Sequence, residues 1–265
     1  MTLGEHLAEL RYRVVVSLIA VVVTTIVAYV FHARILTFIS RPYCDLPDHY
    51  RAIQGHCSLV AFGVLEPFTV TLKLALYAGV IAASPIWLFQ LWRFITPGLY
   101  AHERRYASSF VGVSVLLFAM GAAFAYLTLE KGLHFLLGFA NGDISSLLTF
   151  NSYLSFVTAM VLVFAVSFEL PLLIVMLNLV GVLSAERLRH WSRASIFGIF
   201  VFAAVATPSQ DPFTMSALAV PMCLLYGVAV LIATVHDRRV ARRAPLYGDL
   251  ADDELSSIDD EPALP

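Results

Sequence analysis

Between two long apolar runs lies a short polar break at residues 94–105, reading Phe-Ile-Thr-Pro-Gly-Leu-Tyr-Ala-His-Glu-Arg-Arg. It holds one carboxylate, Glu103, beside the guanidinium groups of Arg104 and Arg105, and its Pro97-Gly98 pair stops a helix. A second carboxylate, Glu9, stands in the polar start of the chain at residues 4–13. Two carboxylates at the rim of one helical bundle suit a ligand with two guanidinium groups. The two groups match in planar bidentate geometry, which a lysine ammonium cannot reproduce. Each carboxylate also has a local explanation. Glu103 would face the N-terminal dipole of the helix that follows. Glu9 stands four residues before Arg13, the favourable order for a helix ion pair. The residues alone leave both readings open.

A third carboxylate, Glu169, lies in Ser167-Phe168-Glu169-Leu170-Pro171, near the middle of an apolar stretch. An isolated ionisable residue in a span points to function, and Pro171 removes a backbone donor and bends the helix beside it. A polar cavity open to a partner helix is one reading; a structural bond to a neighbouring helix, for instance to Gln90, is the other. Asp211 precedes Pro212, the arrangement of a helix cap followed by a first-turn proline. Capping is the better account of it, with a polar contact to a partner as the alternative. Lys73, about one turn inside its span, can extend its ammonium to the surface.

The elements that must position these groups are membrane helices. Of 265 residues, 59% are hydrophobic and 14% charged, where a soluble domain carries about 25% charged residues; the mean hydropathy is +0.80. Six apolar stretches stand at residues 14–31, 68–92, 107–129, 153–180, 194–206 and 213–235. About 20 helical residues cross a ~30 Å hydrocarbon core. The first four stretches satisfy this, and the last two read as a short hairpin joined through residues 207–211. The polar start carries Leu3, Leu7 and Leu10 at helical spacing, which predicts a helix lying along the interface before the first span. Its polarity, followed by a run long enough to span, gives no sign of a removable signal peptide.

Basic residues orient the chain. Twelve arginines (Arg11, Arg13, Arg93, Arg104, Arg105, Arg187, Arg189, Arg193, Arg238, Arg239, Arg242 and Arg243) fall on one side, against Arg34, Arg41, Arg51 and Lys131 on the other. Both termini are therefore expected in the cytoplasm, and residues 94–105 face it. Two outer loops follow, 32–67 and 130–152. The first holds Cys44 and Cys57, which can pair in an oxidising compartment or remain two thiols. Cys223 in the last span reads as a small packing residue. The expected organisation is a six-helix membrane domain at 1–240 and a disordered acidic tail at 241–265. That tail carries seven acids from Asp249 onward, with Pro and Ser.

Other functions fit less well. A proton-coupled solute transporter using Glu169 is the main alternative, but such proteins place several polar groups and broken helices at the midplane, often in repeated halves. One central carboxylate and no evident repeat are found here. Catalysis is not expected: all eight His lie in loops, tails or span ends, His-Glu-x-x-His is absent, and no second central carboxylate completes an aspartyl pair. No cofactor, metal site or nucleic-acid partner is expected.

The run His6-Leu7-Ala8-Glu9-Leu10-Arg11-Tyr12-Arg13 opens a pattern that recurs along the chain. Pro42, Lys73, Pro85 to Gln90 and Trp92 come next, then Phe94-Ile95-Thr96-Pro97-Gly98-Leu99-Tyr100 with His102-Glu103-Arg104-Arg105. Tyr153-Leu154-Ser155-Phe156, Ser167-Phe168-Glu169-Leu170-Pro171, Thr207-Pro208, Asp211 and Pro221 complete it. In this order, with six spans and both ends inside, the chain resembles TatC, the core subunit of the twin-arginine protein translocase, over about residues 3–235. The resemblance implies an all-α, concave, multi-pass bundle of the cytoplasmic (inner) membrane. It implies a receptor for paired-arginine signal peptides on folded cargo. Such a receptor oligomerises, lies among membrane lipid and assembles with single-span TatA and TatB subunits, using the proton-motive force. By position, Glu103 would bind the arginine pair with Glu9 beside it, Phe94, Pro97 and Tyr100 would shape the surface, and Arg104 and Arg105 would join the patch. Glu169 would offer a polar contact to a partner helix, and the last two spans would help to dock TatA or TatB. Met215 and Gly227 depart from the pattern, where Gln and an acidic residue are common. The two-cysteine loop and the acidic tail are not part of it.

Overall fold

The computed structural model describes residues 3–46, 62–95, 104–138, 149–209 and 211–243. Among the described residues the chain is helical, in the order α1 (Leu3–Val30), α2 (His32–Cys44), α3 (Glu66–Ala82), α4 (Ser84–Ile95), α5 (Arg104–Leu137), α6 (Phe150–Ser167), α7 (Leu170–Leu179), α8 (Ala185–His190), α9 (Ser192–Ala206) and α10 (Pro212–Arg243). Four units are long and apolar enough to cross a membrane: α1, α5, α10, and α6 with α7 as Phe150–Leu179. The bent pair α3–α4 makes a fifth, and α9 is a shorter apolar helix of 15 residues.

The outer surface of this bundle is hydrocarbon. Leu18, Ile19, Val22, Val23 and Ile26 of α1 all stand exposed, which is stable only against lipid. Lipid gives helices no hydrophobic reason to associate, so close backbone approach and hydrogen bonds must hold them together. Two glycines allow that approach. A Cβ on Gly79 would lie 2.7 Å from the Thr25 Cα, and one on Gly121 would lie 2.7 Å from the Phe164 carbonyl oxygen. Gly79 thus seats α3 on α1, where Thr24 Oγ1 donates to its carbonyl at 2.8 Å. Gly121 seats α5 on α6.

The architecture differs from the sequence expectation in several places, each with a local cause. No Pro or Gly stands between Gly4 and Val30, so the polar start runs straight into the first span as one 28-residue helix and does not form a separate interfacial segment. The outer stretch 32–67 is not all loop. Ile35, Leu36 and Ile39 give α2 an apolar face that packs on Val70, Leu74 and Leu154. Tyr153 and Tyr126 pin this helix by donating to the Ile39 and Phe38 carbonyls, at 2.6 and 2.9 Å. The stretch 68–92 is two helices bent by 53°, because Pro85 lacks the N–H that would continue α3. The Trp87 indole fills part of the gap by donating to the Val80 carbonyl at 3.0 Å. Of the final hairpin only α9 is short. α10 has 32 residues and keeps its helix beyond the apolar run, so it passes residue 240 and ends at Arg243. Residues 244–265, which hold the acidic tail, lie outside the described residues.

A paired substitution separates the glycine contacts from helix propensity. Gly121→Ala should destabilise the protein by about 1–3 kcal/mol, the range for forcing extra volume into a tight contact. Gly112→Ala, on the same helix with nothing within 4 Å of its Cβ position, should be neutral or stabilising by up to about 1 kcal/mol. Thermal melts of the two variants in detergent check the contrast, and equal melts would remove the packing role assigned to Gly121.

Candidate functional site

The start of α1 and the end of α4 meet at one end of the bundle. Arg13 and Glu9 form the expected i,i+4 pair. The Arg13 Nε donates to Glu9 Oε1 at 3.2 Å and Nη2 donates to the same oxygen. Its third nitrogen, Nη1, reaches Gln90 Oε1 of α4 at 3.5 Å. One turn before Glu9, the His6 ring stacks on Phe94 with centroids 4.6 Å apart. Arg93 is exposed, its guanidinium carbon 5.8 Å from the centroid of the Phe89 ring. Below these groups a groove of about 260 Å³ runs between the helices, lined by Leu10, Arg13, Ser17, Trp87, Gln90 and Phe94. Both bonds from Arg13 to Glu9 fall on Oε1, and Oε2 of Glu9 carries none among the described residues.

Two of the residues expected to bind a ligand, Glu9 and Phe94, are thus brought to one end. Pro97, Tyr100 and Glu103 lie outside the described residues. Arg104 and Arg105 form the first turn of α5, directly after Glu103 in sequence. α4 and α5 also meet here: Trp92 lies edge-on to Phe110, with centroids 4.9 Å apart.

Glu169 occupies the break between α6 and α7. Its N–H bonds back to Val166, and its carbonyl accepts from Leu173 across Pro171. The carboxylate does not meet Gln90, which is taken up with Arg13. Instead Ser114 Oγ of α5 donates to Glu169 Oε2 at 2.8 Å, and Trp92 Nε1 of α4 donates to Ser114 Oγ at 2.7 Å. The second oxygen, Oε1, is buried without a hydrogen-bond partner. A polar atom so placed in hydrocarbon is costly and retains its full capacity to accept. The sequence names Trp92 only within the family pattern, without a partner, and does not single out Ser114. Ser114, a hydroxyl inside an apolar run, is the signal that could have identified the carboxylate's neighbour.

Asp211 caps α10. Its Oδ1 accepts from the Thr214 N–H at 2.8 Å, and the hydroxyls of Ser209 and Thr214 donate to Oδ2. Lys73 reaches the surface and donates to Asn151 Oδ1 at 3.0 Å. A further polar junction went unread in the sequence. Asp237 of α10 accepts from Asn178 of α7 at 2.9 Å and from the Ala185 N–H at the start of α8 at 2.7 Å. It ties three helix ends together. Cys44, at the end of α2, is disulfide-bonded, Cys57 lies outside the described residues, and Cys223 is a free thiol within α10.

Comparison with known proteins agrees with this arrangement of helices. Residues 5–221 match the family model described as Sec-independent protein translocase protein (TatC). A protein named Sec-independent protein translocase protein TatC from Frankia casuarinae is 53% identical, aligned over all of this chain and 75% of its own length. One of the same name from Aquifex aeolicus is 34% identical over 90% of this chain and 97% of its own length. A crystal structure titled twin arginine translocase receptor TatC superposes with a TM-score of 0.73 at 33% identity, covering 88% of this chain and all of that one. With most of its length matched to one family of non-enzymatic transport subunits, and its broken spans matched to a solved member, this chain belongs to the TatC family of Sec-independent protein translocase proteins.

Proposed function

We propose that this chain receives the paired-arginine signal peptides of folded proteins at the end where Glu9 and Phe94 meet. It then assembles with single-span subunits of the TatA and TatB type for export driven by the proton-motive force. The observation that carries the reading is the placement of a part-buried carboxylate at the same end of the bundle as an aromatic ring and a groove. Glu103, Pro97 and Tyr100 follow Phe94 in the same polar break, and Arg104 and Arg105 complete the patch. Glu103 is the principal acceptor of the arginine pair, with Glu9 beside it.

The face carrying this site is the cytoplasmic one, and both termini lie on that side of the inner membrane. The arginine distribution supports this, as does the disulfide at Cys44, a bond that persists in oxidising compartments. Cys57 is its partner. Partner helices fit the apolar flank of α9, where Phe197 is 72% and Val205 77% exposed. They also fit the unfilled acceptor of Glu169, and further copies of this chain complete the assembly.

Three outcomes test the reading. Glu103→Ala should abolish crosslinking to a twin-arginine signal peptide while the protein persists in the membrane, and Glu9→Gln should weaken it; undiminished crosslinking in Glu103→Ala would sink that assignment. A folded reporter should be exported with Arg-Arg in its signal and not with Lys-Lys, in cells that depend on this chain. Equal export of the two would point to a different function. Glu169→Ala should reduce co-purification of the single-span subunits while signal crosslinking largely survives, and normal assembly would leave Glu169 a purely structural residue.

A further inference from the structure

α4 is a short rigid rod with a hinge at one end and a different neighbour on each side. The hinge is the 53° break at Ala83, with Pro85 beyond it. On one side, Gln90 and Phe94 touch Arg13 and His6 of α1. On the other, Trp92 lies edge-on to Phe110 of α5, while the Trp87 ring, which also lines the groove toward α1, meets Phe118 of α5 edge-on. From Trp92 a line of hydrogen bonds continues through Ser114 to Glu169. Trp92 is 3% exposed and Ser114 is fully buried, so no water competes for these bonds. Trp92 and Phe94 are two residues apart on the same rod, about 200° around it at 100° per residue. A displacement of α4 from α1 therefore moves the indole that holds the serine.

We propose that Trp92 and Ser114 are positioning residues through which occupancy of the α1–α4 end sets the reach of the Glu169 carboxylate. A peptide that inserts at Phe94 and His6 swings α4 about Ala83 and draws the Trp92 indole from Ser114 Oγ. The serine hydroxyl then rotates toward a backbone carbonyl of its own helix, as Thr128 does further along α5. Glu169 is left with both oxygens open, and a polar group on an incoming single-span helix can satisfy them. The chain thereby couples reading of a signal at one surface to recruitment of a partner inside the bilayer. This is a two-state element biased from two sites, as energetic coupling requires. The inference rests on the proposal that the Glu9–Phe94 end is where the signal peptide binds.

The test uses membranes containing the full complex, with a photo-crosslinking side chain at Val166, which is exposed one turn before Glu169. Crosslinking from Val166 to a single-span subunit is measured with and without added twin-arginine peptide. Peptide crosslinking at Phe94 is measured in parallel as a control on binding. In the unaltered chain the peptide should raise crosslinking from Val166. Ser114→Ala and Trp92→Phe each delete one bond of the line and keep most of its volume. Both should bind peptide normally yet lose the peptide-dependent rise, by about tenfold, the factor of a lost hydrogen bond to a charged group. Ser114→Thr, which keeps a hydroxyl, should restore it, whereas loss of packing alone would not be rescued. A peptide-dependent rise retained in both Ser114→Ala and Trp92→Phe would overturn the coupling. So would a Thr variant that behaves like Ala, or an unaltered chain in which bound peptide causes no rise. Absence of peptide crosslinking at the α1–α4 end of the unaltered chain would instead overturn the underlying assignment of the binding end.

Discussion

Lipid satisfies no polar atom, and most of this structure follows from that constraint. Several hydroxyls inside the spans turn back onto their own helices. Thr128 donates to Phe124, Thr158 to Leu154, Ser167 to Val163 and Thr234 to Val230, each within a normal hydrogen-bond distance. These bonds cost no partner helix and specify no packing. The polar groups that reach across to another helix therefore carry the information about assembly. Arg13 reaches Gln90, Ser114 reaches Glu169, Asn178 reaches Asp237, and Tyr226 reaches the Leu188 carbonyl. Together they fasten α1 to α4, α5 to the α6–α7 break, α7 to α10, and α8 to α10. Glycine contacts at Gly79 and Gly121 bring the backbones close enough for such bonds to form.

The same constraint explains which parts could be read from the sequence. Spans were legible because hydrocarbon demands a long apolar run, and their approximate limits agree with α1, α5, α6–α7 and α10. The ends were not legible, because a helix has no reason to stop where hydropathy falls. α1 begins well before the apolar run, and α10 continues past it through Arg238 and Arg239. The 13-residue α2 escaped because a search for spans rewards length, while this helix is made by a narrow apolar face and two tyrosine hydroxyls contributed from elsewhere in the chain. Pro171 announced the break beside Glu169, and Pro85 announced the one before α4 equally well, but an unbroken apolar composition hid its consequence. For the candidate site, local pairs were readable and distant ones were not. Glu9–Arg13 and Asp211–Thr214 follow from spacing within one helix. The neighbours of Glu169 lie 55 residues or more away and depend on how α4 and α5 cross.

Glu9 illustrates how a local pair can coexist with the role proposed for the same carboxylate. An isolated surface ion pair contributes little to stability, because water screens it and two long side chains must be ordered. Here the arginine is largely withdrawn from solvent and is also held by Gln90, so its position is fixed from two helices. The carboxylate is fixed with it through Oε1. That is preorganisation: the rotamer entropy of Glu9 is lost on folding, before any ligand arrives. A guanidinium approaching this carboxylate meets an acceptor whose charge is already shared with Arg13, so the added attraction is weaker than that of a free carboxylate. Specificity then comes from the planar fork of the incoming group more than from the strength of one contact. A shared carboxylate of this kind favours discrimination over tight binding, since added affinity would slow dissociation without improving the choice between ligands.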